Sequence, residues 1–306
     1  MSLRISIVMP TKNANAFVAR AVNSFSSQSW SNKQLVLVDG GSDDGTVETV
    51  QRLLGRNDVL HVQADRNATE AVNRGVGLSD GDVIALLMSD DWLEPGALEV
   101  IARAFTSDPR ADLVCGGARL WSAARDGEKI EDAVSAKEDR ALSLERLLGV
   151  PYMAAYSFRR RVWTAMDGFG VDYRYGADRD FLVRCRLANL RVKAVDPFVY
   201  NYLRHEGSAT LNDRDDVVQE FLADHRVMSA RWLKRSDLSE SVRAEILAWR
   251  RGETLALADR QIMGGKYREV AMMLAMELFS RPALAIAGGR RIVAHMRRRV
   301  RRALVR

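Results

Sequence analysis

The sequence predicts an α/β fold: a mostly parallel sheet flanked by helices, followed by a helical C-terminal region. Three observations carry this. Strand and helix signals alternate through the first 120 residues, polar clusters recur directly after the strand-like runs, and the pattern turns wholly helical after Asp213. A βαβα rhythm forces parallel strands, because each crossover helix returns the chain to the edge it left.

Ile5–Met9 is a β-branched run, and Ala16–Gln28 has helical spacing. Gln34–Val38 reads as strand, Gly45–Leu54 as helix, Leu60–Gln63 as strand and Thr69–Leu78 as helix. Val83–Leu87 is a buried strand, Pro95 suits a first helical position in Pro95–Phe105, and Leu113–Cys115 opens another strand. Ala123–Asp139 is charged and weakly periodic, the pattern of a loop or lid. Leu142–Leu148 is helical, and a helix is expected from Asp180 to Leu190. Phe198–Leu203 is strand-like, and turn signals stand at Gly252 and Gly264-Gly265 in the helical region. The division is a catalytic domain over residues 1–213, with halves at about 1–120 and 121–213, and a helical region over 214–306.

Composition excludes several classes. Two cysteines, Cys115 and Cys185, form neither a disulfide framework nor a CxxC metal pair, which fits a reducing, cytoplasmic setting. No secretory signal and no stretch of about 20 apolar residues is present. The net charge is +6, but residues 278–306 alone hold nine arginines, no lysine and no acid. The body is therefore mildly acidic, which argues against nucleic acid as a partner. In the tail, Ile292, Val293, Met296, Val300, Leu304 and Val305 fall at helical spacing opposite the arginines. That amphipathic pattern predicts a peripheral position on an anionic membrane, at its inner face; a solvated basic end or packing on another subunit are the other readings. The helical C-terminal region also offers a surface for an oligomer.

In parallel sheets, ligands bind beyond the carboxyl ends of the strands. Thr11-Lys12-Asn13, Asp39-Gly40-Gly41-Ser42 and Ser89-Asp90-Asp91 all fall there. In the second cluster Ser42 and Asp44 could cap the following helix, leaving Asp39 for a base or ribose; a capped turn without a ligand is the equal alternative. Adjacent carboxylates Asp90 and Asp91 repel unless a cation lies between them, and Mg²⁺ or Mn²⁺ often uses one or two protein carboxylates with diphosphate and water. Turn chemistry is the competing reading. In Gly176-Ala177-Asp178-Arg179-Asp180 a carboxylate opens a helix, where the dipole stabilises the anion; taken alone, this is an N-cap. His205-Glu206-Gly207-Ser208 follows a strand, so His205 is either a ligand or a surface residue.

Taken together and in order, these segments resemble family 2 of the inverting glycosyltransferases, which have the GT-A fold. The matching stretches are Pro10-Thr11-Lys12-Asn13, Asp39 to Thr46, Asp65 through Gly75, Ser89-Asp90-Asp91 and Gly176 to Arg184, and they span about residues 4–210. The resemblance implies that Pro10, Thr11, Asn13, Asp39 and Ser42 line the nucleotide, with Asp65, Asn73, Arg74 and Asp90. It implies that Asp90, Asp91 and His205 hold Mn²⁺ or Mg²⁺, and that Asp178 is the general base. Trp92, Asp180, Arg184 and Ser208 are then acceptor-side or supporting residues. Lys12 stands where many members carry a tyrosine, Met88 where many carry the first carboxylate of an Asp-x-Asp motif, Asn67 at a usual glycine, and Ala177 where some carry a glutamate.

The implied activity is transfer of a sugar, with inversion, from a nucleotide-sugar of the UDP type. The acceptor would be a hydroxyl of a glycan or lipid-linked sugar in cell-surface polysaccharide biosynthesis. A sugar nucleotidyltransferase is the first alternative, but the Pro10-Thr11-Lys12-Asn13 turn lacks the glycine-rich basic loop usual in those enzymes. A catalytically weak nucleotide-sugar-binding scaffold is the second, and retention of Asp178 and Asp90-Asp91 argues against it.

Overall fold

The computed structural model describes residues 3–64, 66–124, 127–136, 141–208 and 215–278. It divides into two units, Met1–Asn212 and Asp213–Arg306.

The first unit runs β1 (Ile5–Thr11), α1 (Val18–Ser26), β2 (Lys33–Asp39), α2 (Thr46–Leu53), β3 (Val59–Val62), α3 (Ala68–Leu78), β4 (Val83–Leu86), β5 (Trp92–Leu93) and α4 (Ala97–Ser107). It continues with β6 (Leu113–Ala124), β7 (Gly127–Val134), α5 (Leu144–Leu148), a 3₁₀ turn at Met153–Ala155, β8 (Tyr156–Arg159), α6 (Arg160–Ala165), α7 (Ala177–Leu187) and β9 (Val192–Arg204). The sheet order is β3-β2-β1-β4-β8-β6-β9-β5, with β7 paired to β6. The four strands at the β3 end are parallel, as the βαβ rhythm requires. β8 enters antiparallel between β4 and β6, while β6 and β9 run parallel.

The order 3-2-1-4 puts a topological switch at β1, where helices leave to opposite faces and a crevice opens beyond the carboxyl ends. The sheet core explains why these strands carry no alternation. All of β1 and nearly all of β2 are buried, since helices cover both faces. α1 buries Val18, Ala21, Val22 and Phe25, one stripe at three- and four-residue spacing. α3 lies so close to the sheet that a Cβ on Gly75 would stand 2.5 Å from Val8 Cγ1 and 3.3 Å from Val38 Cγ2.

Several elements differ from the sequence reading. The segment expected as a loop or lid forms a hairpin, with β6 extended to Ala124 and β7 paired to it. β7 buries almost nothing, so no apolar stripe betrays it. β9 starts at Val192, well before the apolar run at Phe198. α4 starts at Ala97 after Gly96 at φ 77°, so Pro95 sits in the entering turn rather than in the helix.

The second unit contains α8 (Asp215–Trp232), α9 (Glu240–Met263) and α10 (Tyr267–Leu278). Leu222, Leu257, Ala258, Ile262, Val270 and Met273 form its core. Gly252 is not a turn but lies inside α9; the break falls instead before Ser239, whose hydroxyl accepts from Val242 N–H at 3.3 Å as an N-cap. α9 does end at the expected Gly264-Gly265. Among the described residues no helix is long and apolar enough to cross a membrane. The arginine-rich tail lies outside the described residues, as does Asp65.

Two glycines of α3 give a paired test. Gly75→Ala should cost about 1–3 kcal/mol in chemical denaturation, because Val8 cannot move without disturbing the sheet. Gly77, with nothing within 4 Å of its missing Cβ, should tolerate alanine and gain about 0.5–1 kcal/mol.

Candidate active site at the carboxyl edge of the sheet

The last residues of β1 and β2, Thr11 and Asp39, lie side by side in register. Gly40 N–H donates to Thr11 O at 2.9 Å and fastens the two loops. Asp39 is fully buried and organises the turn after it. Its Oδ1 accepts from the N–H groups of Gly41 (2.9 Å) and Ser42 (2.7 Å), and its Oδ2 accepts from Ser42 Oγ at 2.6 Å. Ser42 Oγ in turn accepts from Asn13 N–H at 2.8 Å, and Asn13 Oδ1 accepts from Asp43 N–H at 3.1 Å. Ser42 thus braces the base of the site instead of capping α2, which begins after a left-handed Gly45 without a side-chain cap. Asp44 bonds to Asn15 N–H and to Thr46, and those bonds hold its pKa below the usual carboxylate value. Thr11 Oγ1 is buried with no hydrogen-bond partner among the described residues.

Beyond β4 the two adjacent carboxylates part company. Asp91 is 3% exposed. Its Oδ2 accepts from Tyr200 Oη at 2.8 Å and its Oδ1 from Leu203 N–H at 2.8 Å. Tyr200 Oη accepts from Met88 N–H at 2.9 Å, which closes the clasp between the β4 loop and β9. Burial, then the Asp90 charge, push the Asp91 pKa well above the usual carboxylate range. Both Asp91 oxygens are committed, which departs from the expectation that it is a metal ligand.

Asp90 faces the opposite way and is partly exposed. Its Oδ2 lies 3.1 Å from His205 Nε2. The His205 ring packs on Phe17, with centroids 4.4 Å apart. Its turn is fixed by Ser208, whose Oγ accepts from His205 N–H at 3.0 Å and donates to Leu203 O at 3.2 Å. Ser208 is therefore a support for His205. Trp92 carries the Arg20 guanidinium 3.9 Å from its ring centroid and packs against Trp121.

Asp178 sits in the first turn of α7, behind Gly176 at φ 75°. That left-handed conformation costs glycine little and swings the chain so that the helix begins at the site. Asp178 is partly exposed, and its Oδ1 accepts from Arg179 N–H at 2.7 Å. Tyr202 joins the two walls electrostatically: its burial, then Asp91, then Asp178, raise its hydroxyl well above the usual tyrosine value, against the N–H of Ala154. Asp180 is buried and pairs with Arg184 at 2.8 Å. Arg184 also donates to Met166 O, and to Gly168 O at 2.7 Å, so this pair staples the loop before α7. Asn73 exchanges two hydrogen bonds with the backbone of Phe169 through its amide, at 2.9 and 3.0 Å. Arg74 lies near Glu70, whose pKa its charge helps to lower after the larger effect of Arg66.

The family model described as "Glycosyl transferase family 2" matches residues 6–161, more than half of the chain. The chain belongs to this family. Chondroitin synthase of Pasteurella multocida (strain Pm70) is 26% identical over 249 residues, covering 78% of the chain but 25% of that protein. A PGL/p-HBAD biosynthesis glycosyltransferase of Mycobacterium bovis (strain BCG / Pasteur 1173P2) is 30% identical over 187 residues, 59% of the chain and 68% of that protein. The chain thus spans about a quarter of the synthase it matches. Among solved structures, S. aureus TarS 1-349 aligns over 96% of the chain and 89% of its own length, with a TM-score of 0.64 and 16% identity. TarS 1-349 in complex with UDP-GlcNAc aligns over 85% of the chain and 73% of its own length, with a TM-score of 0.61 and 16% identity. The mannosyltransferase PcManGT from Pyrobaculum calidifontis, in complex with GDP-Man and Mn2+, covers 94% of the chain and 78% of that protein, with a TM-score of 0.58 and 16% identity. These likenesses show the expected GT-A fold.

Within this family 2 fold, Thr11, Asp39 and Asn13 come together at the ends of β1 and β2, Asp90 pairs with His205 beyond β4, and Asp178 opens α7. Pro10 pairs with Val38 within β1 and β2, one residue back from the loops. Phe17, Tyr200 and Tyr202 escaped the sequence reading; only contacts with residues distant in the chain give them meaning. Among the described residues no group of three or more His, Cys, Asp or Glu side chains could hold a metal.

The two neighbouring aspartates should separate in denaturation experiments. Asp91→Ala should lose about 3–5 kcal/mol, since it strands Tyr200 and the Leu203 N–H in a buried pocket. Asp90→Ala, which breaks only a part-exposed pair, should lose about 1 kcal/mol or less.

Proposed function

We propose that this chain is an inverting, metal-dependent glycosyltransferase that moves a sugar from a UDP-sugar to a hydroxyl of a glycan or lipid-linked acceptor in cell-surface polysaccharide biosynthesis. The observation that carries this reading is the partly exposed pairing of Asp90 with His205 at 3.1 Å, beside the buried clasp of Asp91 on β9. The UDP-GlcNAc complex of TarS and the GDP-Man and Mn2+ complex of PcManGT, both of this fold, support a nucleotide-sugar donor.

In this reading Thr11 and Asp39, side by side at the ends of β1 and β2, mark the nucleoside end. Pro10, Asn13 and Ser42 shape the floor beneath it. Asp90 and His205 Nε2 would hold the divalent cation, with Asp91 acting through the position of β9. One carboxylate and one imidazole fit a cation that shares its shell with diphosphate and water, and the nitrogen favours Mn²⁺ over Mg²⁺. When bound, such a cation offsets the charge growing on the departing diphosphate.

Asp178 receives the acceptor proton as the hydroxyl attacks the anomeric carbon from the face opposite the leaving group. Its Oδ1 is oriented by Arg179 N–H, and among the described residues Oδ2 takes no hydrogen bond. The α7 N-terminus stabilises its anion. A positioned base contributes about 10²–10⁴-fold in rate. One displacement inverts configuration and needs no protein nucleophile. Asp180 and Arg184 keep the loop before the base rigid, and Trp92 walls the acceptor side.

Asp178→Asn should lower transfer from a UDP-sugar by about 10²-fold or more while leaving the Kd for UDP within about threefold. Near wild-type turnover in that variant defeats the assignment. In the same assay, excess EDTA should abolish transfer, and Asp90→Ala should remove the added thermal stabilisation that Mn²⁺ gives to UDP-bound protein. The tail reading is tested by flotation: the full chain should bind vesicles rich in anionic lipid and release at high salt, whereas a chain ending at Ala287 should do neither.

A further inference from the structure

α1 does more than cover the sheet. Besides its buried stripe of Val18, Ala21, Val22 and Phe25, it carries a second stripe at Phe17, Arg20 and Ser24 that continues to Gln28 just past its end. Spacings of three and four residues put these side chains on one helical face. Each of them meets the chain beyond β4 or its partner His205. Gln28 Nε2 donates to Glu94 O at 2.9 Å, and its Oε1 accepts from Leu98 N–H at 3.2 Å. Ser24 Oγ accepts from Leu93 N–H at 3.1 Å. Phe17, at the helix start, carries the His205 ring. The stripe therefore runs along residues 90–98 and ends at the Asp90–His205 pair.

Arg20 is the member of the stripe that touches the Asp90 turn itself. Its Nη2 donates to the backbone oxygen of Asp90 at 3.4 Å, and its Cζ lies 3.9 Å from the centroid of the Trp92 ring. It thus grips the residues on either side of Asp91. Its Nη1 donates to both oxygens of Glu128 on β7, at 2.7 and 2.9 Å. Trp92 rests in turn on Trp121 of β6, with centroids 5.5 Å apart, and Trp121 Nε1 donates to Asn201 Oδ1 of β9 at 2.7 Å. Asp91 ties the turn to β9, whereas Arg20 ties it to α1 and, through Glu128, to the hairpin of β6 and β7. The Arg20 and Glu128 side chains are 35% and 38% exposed, and an ion pair that open adds little to stability. A guanidinium beside a cation site also works against it, since like charges repel. What the three contacts share is the turn that presents Asp90, and Glu128 offsets the charge that this grip brings.

We propose that Arg20 is a positioning residue for the cation site: clamped by Glu128 and Trp92, it fixes the turn that presents Asp90, and affinity for the divalent cation depends on that clamp. This rests on the metal-dependent transferase reading above. Arg20 acts through the backbone of Asp90 and neither holds the cation nor moves a proton. The sign of one effect separates this role from plain electrostatics. Removing a positive charge near a cation should tighten cation binding, whereas loosening the turn should weaken it.

The test titrates Mn²⁺ into the full chain saturated with UDP and reads free Mn²⁺ by electron paramagnetic resonance. Arg20→Met should weaken Mn²⁺ binding by about ten-fold or more, the loss expected when a group that orients a metal ligand is removed. Arg20→Lys, which keeps the charge and a donor for Glu128, should recover part of that loss. Glu128→Gln should weaken binding by a smaller factor, and combining it with Arg20→Met should weaken it no further, because both act through one clamp. UDP affinity measured without metal should match the wild type in every variant. Unchanged or tighter Mn²⁺ binding in Arg20→Met, or additive losses in the double variant, overturns the clamp and leaves the metal reading standing. Failure of the wild-type chain to bind Mn²⁺ in the presence of UDP overturns the metal reading and the clamp with it. Loss of metal-free UDP affinity in Arg20→Met and Arg20→Lys alike assigns the arginine to the fold and overturns the clamp.

Discussion

Burial of the Asp91 carboxylate is the constraint on which the site is built. A carboxylate cut off from water must find donors, and here both come from one strand: the Tyr200 hydroxyl and the Leu203 N–H of β9. Satisfying them fixes β9 against the loop after β4. The turn that follows β9 then delivers His205 to Asp90, and Ser208 locks it there. Tyr202, two residues beyond Tyr200 and on the same face of the strand, packs against it with ring centroids 4.6 Å apart. One desolvated group thus sets the position of the whole end of β9.

The neighbouring Asp39 applies the same logic on a smaller scale. Its three hydrogen bonds are all local, within the turn 39–42, so the loop after β2 is shaped by the chain itself. Asp39 and Asp91 are buried and satisfied by the protein, while Asp90, His205 and Asp178 stay partly exposed. Preorganisation of this kind lowers the ordering cost that binding must meet.

Much of this was legible in the chain. The βαβ rhythm predicted the parallel strands, and the motifs located Thr11, Asp39, Asp90, His205 and Asp178, because each is a local signal at a strand or helix end. What stayed hidden depends on distant partners or on missing patterns. Asp91 and Asp90 are indistinguishable as letters; their roles diverge only because Tyr200 stands 109 positions away from one of them. Asn73 and Ser42 carry polar side chains at motif positions, yet Phe169 and Asp39 consume them. β7 was unreadable because a strand exposed on both faces has no hydrophobic period, and Gly252 misled because an exposed helix position tolerates a residue that favours turns.

β7 carries a different kind of information. Its eight residues answer to almost no core, yet three of them reach across to the crevice: Glu128 to Arg20, Glu131 to Arg204 and Asp132 to Tyr152. Substitutions at its exposed positions should cost the fold little. The hairpin is therefore the part of this chain where surface charge can change without the chain relearning how to fold.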